Sequence, residues 1–304
     1  GGAPQLGGLV DDPNALIPGS STILGAAKVT GRVLGSTSLG TLAALTQKET
    51  VAGTVVEPAT AYAVARASHD FRNGESAVGF MFTGVNRQLD DETEDYLRRD
   101  ATVAGIDARH RFDNGRYAAS TSLAFTRVTG TEDAIDRTQR SGVHLFQRPD
   151  SHLDYDPTRT SLTGTAIAGQ FDKVAGVFRG GASYRRFSPG FEANDIGFLS
   201  QADMQNIYGY LSVQSAQPHS FYRRYSAQLS LYTQLNADGM ATGRTPDLFV
   251  GTTFRNSSSV SAELWTDNFG AVYCDRCARG GPAVRVSPAS NLLVNWASDS
   301  RNVL

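Results

Sequence analysis

The feature that most constrains this chain is a period-two alternation of apolar and polar residues that recurs along its length. From Tyr225 to Leu235 one set is Tyr225, Ala227, Leu229, Leu231, Thr233 and Leu235, and the other is Ser226, Gln228, Ser230, Tyr232 and Gln234. Successive side chains of a strand point to opposite faces, so this segment predicts a strand with one apolar and one polar face. Tyr117–Arg127 repeats it, with Leu123 and Phe125 opposite Ser122 and Thr126. Val177–Arg185 does so again, with Phe178, Ala182 and Tyr184 opposite Arg179, Ser183 and Arg185.

The spacing of these segments predicts six hairpins: 23–33 with 36–47, 61–71 with 76–87, 99–112 with 116–128, 161–170 with 174–186, 207–215 with 222–235, and 247–255 with 259–268. A thirteenth strand is expected at about 284–297. Within pairs the connections are short, including Arg72-Asn73-Gly74-Glu75, Asp113-Asn114-Gly115, Asp172-Lys173 and Asn256-Ser257-Ser258. Asn-Gly favours a tight turn because both residues tolerate positive φ. Between pairs the connections are longer, at 48–60, 88–98, 129–160, 187–206, 236–246 and 269–283. Alternating short turns and long loops, with strands of about 9–11 residues, match an antiparallel up-and-down transmembrane β-barrel. A soluble sandwich or lipocalin-like barrel also alternates. The distinction is whether the apolar face meets lipid or a dry core.

Composition narrows the partners. The formal charge of −2 over 304 residues carries no basic footprint for nucleic acid. No apolar run approaches the roughly 20 residues of a spanning helix, which leaves a barrel open. The first residues contain no basic and apolar leader, so export would require a signal upstream of Gly1.

A series of motifs carries a family resemblance. These are Ile23-Leu24-Gly25-Ala26-Ala27-Lys28-Val29-Thr30-Gly31, Val56-Glu57-Pro58, Val85-Asn86-Arg87, and Phe146-Gln147-Arg148-Pro149-Asp150. Further along come Tyr155-Asp156-Pro157-Thr158-Arg159-Thr160-Ser161-Leu162, the stretch Ser188–Leu199 (SPGFEANDIGFL), Arg279-Gly280-Gly281-Pro282-Ala283 and Ser298-Asp299-Ser300-Arg301. The chain resembles, over nearly its whole length, the bacterial family called domain of unknown function 5916, whose members are labelled carbohydrate-binding family 9 domain-containing proteins. The resemblance implies a secreted N-terminal β-sandwich followed by an outer-membrane barrel. Residues 1–22 would then be the linker from a missing sandwich, and 23–304 a barrel lacking its last strands, since the chain ends at Asn302-Val303-Leu304 and 14–16 strands are expected in full. Its implied setting is the bacterial outer membrane, with lipid, lipopolysaccharide, the barrel assembly machinery and a glycan ligand as partners. It implies location and architecture, not chemistry.

Candidate site residues are few. Glu192 and Asp195, in the Ser188–Leu199 stretch, either face a ligand or belong to a loop that braces the barrel, with Phe191 and Phe198 packed inside. Arg179, Arg185, Ser226, Gln228 and Ser230 are candidate lumen-lining residues, and the pairs Arg98-Arg99, Arg185-Arg186 and Arg223-Arg224 could bind anions or pair with carboxylates. The run Asp90–Asp95 lacks the spacing of a calcium loop and predicts a solvated surface. Cys274 and Cys277 have the spacing of half a zinc site with no second half, so a local disulfide is expected rather than a metal site. His144 and His152 share a loop with Asp150, Asp154 and Asp156, but nothing orders a Ser-His-Asp site there. No catalytic set and no cofactor motif is found. The functions in contention are solute or glycan binding and transport, anchoring of a secreted domain, and an outer-membrane hydrolase.

Overall fold

The computed structural model describes residues 4–12, 14–33 and 35–299. Parts of the expected linker (residues 1–3 and 13) and the Asn302–Leu304 end lie outside them. The chain is an all-β antiparallel protein with little helix. Its principal sheet has thirteen strands: β1 (Ile23–Val33), β2 (Thr37–Thr46), β3 (Thr60–Phe71), β4 (Ser76–Arg87), β5 (Asp100–Phe112), β6 (Tyr117–Thr129) and β7 (Ser161–Lys173), then β8 (Phe178–Phe187), β9 (Met204–Ser215), β10 (Tyr222–Leu235), β11 (Ala241–Phe254), β12 (Ser259–Asp267) and β13 (Ala289–Ala297). They lie side by side in chain order, so each strand hydrogen-bonds its sequence neighbours.

The short turns take the backbone that their residues require. Asn73 and Gly74 have φ of 54° and 88°, and Asn114 and Gly115 have 54° and 76°. These are left-handed conformations that Asn tolerates and Gly adopts freely.

Several expected boundaries move. β7 runs on through Asp172 and Lys173, and the turn falls at 174–177, where Gly176 supplies φ of 94°. β11 starts at Ala241, because the tight turn 236–240 is closed by Met240 N donating to the Asn236 side chain. β13 starts at Ala289, because Val284–Val286 pairs instead with Val272–Cys274 in a separate two-stranded ribbon. A second ribbon, Glu49–Val51 with Thr54–Glu57, occupies the 48–60 connection.

The connection 129–160 holds a helix, α1 (Glu132–Arg140), where a loop is expected. Thr131 caps it by accepting from Ala134 N, Glu132 and Asp133 sit in its first turn, and Arg137 and Arg140 in its last. That charge order suits the helix dipole.

The chain divides into two compact units. One comprises Gly1–Ala108, Ser122–Ile167 and Phe187–Asp203; the other comprises Arg109–Thr121, Ala168–Arg186 and Met204–Leu304. In the first, the core lies toward the long connections. Val85, Ala101, Val128, Ile135, Phe146 and Leu162 form one cluster, and Phe191, Leu199 and Ala202 a second.

In the second unit the sheet sorts its faces by register. Leu211, Leu229, Leu248, Leu264 and Leu292 stand directly opposite one another across β9 to β13. Val213, Ala227, Val250, Ala262 and Val294 form the next such row on the same face. The leucines are exposed, Leu211 by 70% and Leu229 by 57%, whereas Ser230 between Leu229 and Leu231 is 8% exposed. β6 in the first unit repeats the inversion, with Phe125 49% exposed and Thr126 fully buried. The apolar side chains of these rows are therefore the exposed ones, and the polar residues between them are for the most part less exposed.

Candidate functional site

The most closely knit group of charged side chains lies in the first unit, on the connection 188–203. Two glycines let that segment lie against β7. A Cβ on Gly190 would sit 2.2 Å from the Thr163 carbonyl oxygen, and one on Gly164 would sit 2.1 Å from Phe191 N. No other residue permits that backbone approach. Phe191 is then buried beside Phe187, with ring centroids 5.2 Å apart. Asn194 pins the following turn: its Oδ1 accepts from Leu199 N at 2.7 Å, and its Nδ2 donates to the Leu199 carbonyl at 3.1 Å. Phe198 is 89% exposed, so of the two phenylalanines expected inside only Phe191 is packed. The turn closed by Gly197 N donating to the Ala193 carbonyl carries Phe198 to the exterior.

These contacts present Glu192 and Asp195 to cations of the protein itself. Asp195 accepts from Arg87 Nη1 at 2.7 Å and from Arg98 Nε at 3.0 Å. Glu192 Oε2 lies 2.9 Å from His144 Nε2 and 3.9 Å from Arg98 Nη1, while Oε1 accepts from Asn194 N at 2.6 Å. Glu192 N donates to Thr126 Oγ1. His144 Nδ1 is 2.7 Å from the Pro189 carbonyl oxygen, so both ring nitrogens are engaged. Arg98 also donates to Thr138 Oγ1 on α1, and Arg87 to the Arg98 carbonyl. Arg87, His144 and Glu192 are each at most 3% exposed. Burial pushes the Glu192 carboxyl up, but the His144 hydrogen bond, the Arg98 charge and the Asn194 amide outweigh it and hold the group at about 2.

This is a five-membered ionic cluster joining β4, the 88–99 connection, α1, the 141–148 segment and the 188–203 connection. Both carboxylates are taken up by the protein's own cations, which makes it a clamp rather than an open acid–base pair. The sequence singles out Glu192 and Asp195 but misses Arg87 and His144 as their partners. Both sit inside motifs or loops already noted, yet nothing in the spacing links them. The acidic run Asp90–Asp95 is likewise braced: Lys48 Nζ reaches Asp90 at 2.6 Å, and Thr131 Oγ1 donates to the Glu94 carbonyl and to Asp95. Lys48, then Thr93, hold the Asp90 carboxyl below its ordinary range.

The remaining candidates belong to the second unit. Ser226, Gln228 and Ser230 share the polar face of β10, and Ser230 Oγ donates to Asp247. Arg179 Nε donates to the Gly176 carbonyl, and Arg185 lies three turns of the alternation further along β8. Arg224 Nε donates to Thr253 Oγ1, and Arg223 Nη1 to Ser257 Oγ. Cys274 and Cys277 are joined in a disulfide next to the 272–286 ribbon.

A thirteen-stranded antiparallel meander, its connections clamped by buried ion pairs, defines the class of protein: an all-β sheet protein whose charged residues are organised by its loops. The particular family follows from comparison. The chain belongs to the family described as a domain of unknown function, DUF5916, whose model matches residues 10–304. No curated protein matches it.

Proposed function

We propose that this chain is the membrane-embedded part of an outer-membrane β-barrel, and that its polar sheet face binds or passes small hydrophilic solutes, glycan fragments among them. The observation that carries this reading is the exposed leucine row across β9 to β13, flanked on the opposite face by mixed rows that carry Tyr210, Ser230, Asp247 and Asn291 and then Ser212, Gln228 and Glu263. Burying a leucine stabilises a fold by roughly 1.5–3 kcal/mol, so five half-exposed leucines in water forgo on the order of 5 kcal/mol. Against hydrocarbon that loss disappears, and a polar opposite face is what a barrel lumen requires. Strand lengths support the same reading: β9 to β11 have 12, 14 and 14 residues, enough to cross a bilayer at a tilt. No helix among the described residues is long and apolar enough to span a membrane, which says nothing about strands.

Outer-membrane fractionation of the full-length protein, followed by planar-bilayer recording, tests the reading. Recovery with the outer membrane and stepwise conductance are expected. Recovery as a water-soluble monomer without detergent would overturn it. The hydrolase reading gains nothing from the ionic cluster. Both nitrogens of His144 are engaged, by Glu192 and by the Pro189 carbonyl, so neither is poised to take a proton from a hydroxyl nucleophile.

A further inference from the structure

A cavity of about 940 Å³ lies in the second unit at the ends of β8 to β13 that carry the short turns. Its size falls in the range of roughly 300–1,000 Å³ typical of small-ligand sites. Part of its lining is one cross-strand row on the polar face: Gln214, Ser226, Gly251, Ser261 and Asn295 stand opposite one another in register. Phe249 and Arg224 lie on the same face, two residues along their strands from Gly251 and Ser226. A Cβ on Gly251 would sit 3.0 Å from the Phe249 ring, so glycine there lets the ring lie close over the strand. Row and ring together offer hydroxyl and amide groups beside an apolar plate.

The charge of the cavity has one sign. Arg179 and Arg224 line it, and no Asp or Glu does. Their hydrogen-bond partners are neutral: the Gly176 carbonyl for Arg179 Nε, the Gln214 oxygen for all three Arg179 nitrogens when that amide is turned (2.8 Å from Nε and 2.9 Å from Nη2), and Thr253 Oγ1 for Arg224. Neither guanidinium forms an ion pair among the described residues. An arginine held by neutral groups keeps its full charge and presents a planar set of donors suited to a carboxylate or phosphate.

We propose that this cavity binds an anionic saccharide, with Arg179 and Arg224 taking its carboxylate or phosphate, Gln214, Ser226 and Asn295 its hydroxyls, and Phe249 the apolar face of a sugar ring. The proposal rests on the solute-binding reading above and names the class of solute.

The test is an isothermal calorimetric titration of the full-length protein in detergent with digalacturonate, glucose 6-phosphate and neutral lactose. Saturable binding of either anionic sugar is expected, with lactose at least roughly tenfold weaker, because a charge-assisted hydrogen bond is worth more than a neutral one. Digalacturonate against glucose 6-phosphate separates carboxylate from phosphate recognition. The double variant Arg179→Gln/Arg224→Gln should lose that preference, and Arg179→Lys/Arg224→Lys should keep part of it. Equal affinity for charged and neutral sugars, no binding of any of the three, or unchanged binding in the glutamine variant with strand content intact by circular dichroism would each overturn the proposal. Failure to insert into liposomes would instead count against the membrane reading, and the titration would still be read on its own.

Discussion

Removing the charge of Glu192 should loosen the 188–203 connection selectively, and the structure sets the size of the effect. The carboxyl is held at about 2 against an ordinary 4.5, a difference of about 2.5 pH units. At about 1.36 kcal/mol per unit this is close to 3 kcal/mol of differential stabilisation of the charged form. A depressed carboxyl contributes stability that is present in full above 4.5 and is lost as the pH falls toward 2. Glu192→Gln should therefore open the connection roughly a hundredfold to a few hundredfold more often at pH 7, since about 2.5 pH units correspond to about 2.5 powers of ten. Hydrogen exchange followed by mass spectrometry reads this directly. The amide of Leu199, which Asn194 holds, should lose protection, while the β9 to β12 ladder should keep it. Wild-type protein labelled at successively lower pH should approach the variant's behaviour only below pH 4.5. Protection within threefold of wild type at pH 7, or a wild-type loss centred between pH 6 and 7, would refute the assignment of the clamp to the Glu192 carboxylate.

Other substitutions probe the remaining links. Gly190→Ala places a Cβ within 2.2 Å of the Thr163 carbonyl and should destabilise the connection by at least about 1–3 kcal/mol, seen as proteolytic cleavage within 188–203. Arg87→Met leaves Asp195 with Arg98 alone; because Arg87 Nε and Nη2 are buried without a partner among the described residues, the loss in urea unfolding should be near 2 kcal/mol, below the 3–5 kcal/mol usual for a broken buried pair. Leu229→Arg, within the leucine row, should cost about 2–4 kcal/mol when the protein folds into liposomes, as expected for a cation at the bilayer midplane. The same variant in a water-facing sheet would cost next to nothing.

The sheet was legible because its signals are local. Alternation is written in consecutive residues, and Asn73-Gly74 and Asn114-Gly115 encode their turns by their own φ preferences. Helix α1 is equally local, marked by Thr131, the two acidic residues after it and the arginines that close it, although it is a short element inside a long polar connection. The turn expected at Asp172-Lys173 falls instead at 174–177, because Gly176 supplies the positive φ there and Asp172 and Lys173 continue the strand.

Sequence alone determined that this chain forms sequential antiparallel strands with one apolar and one polar face, since side-chain alternation needs only neighbouring residues to establish it. Only the tertiary structure decided which face is covered, and which charges meet. Arg87 and Asp195 are 108 residues apart, and His144 and Glu192 are 48 apart. An ion pair requires atoms within a few ångströms. No spacing in a linear chain specifies that proximity until strands and loops have packed.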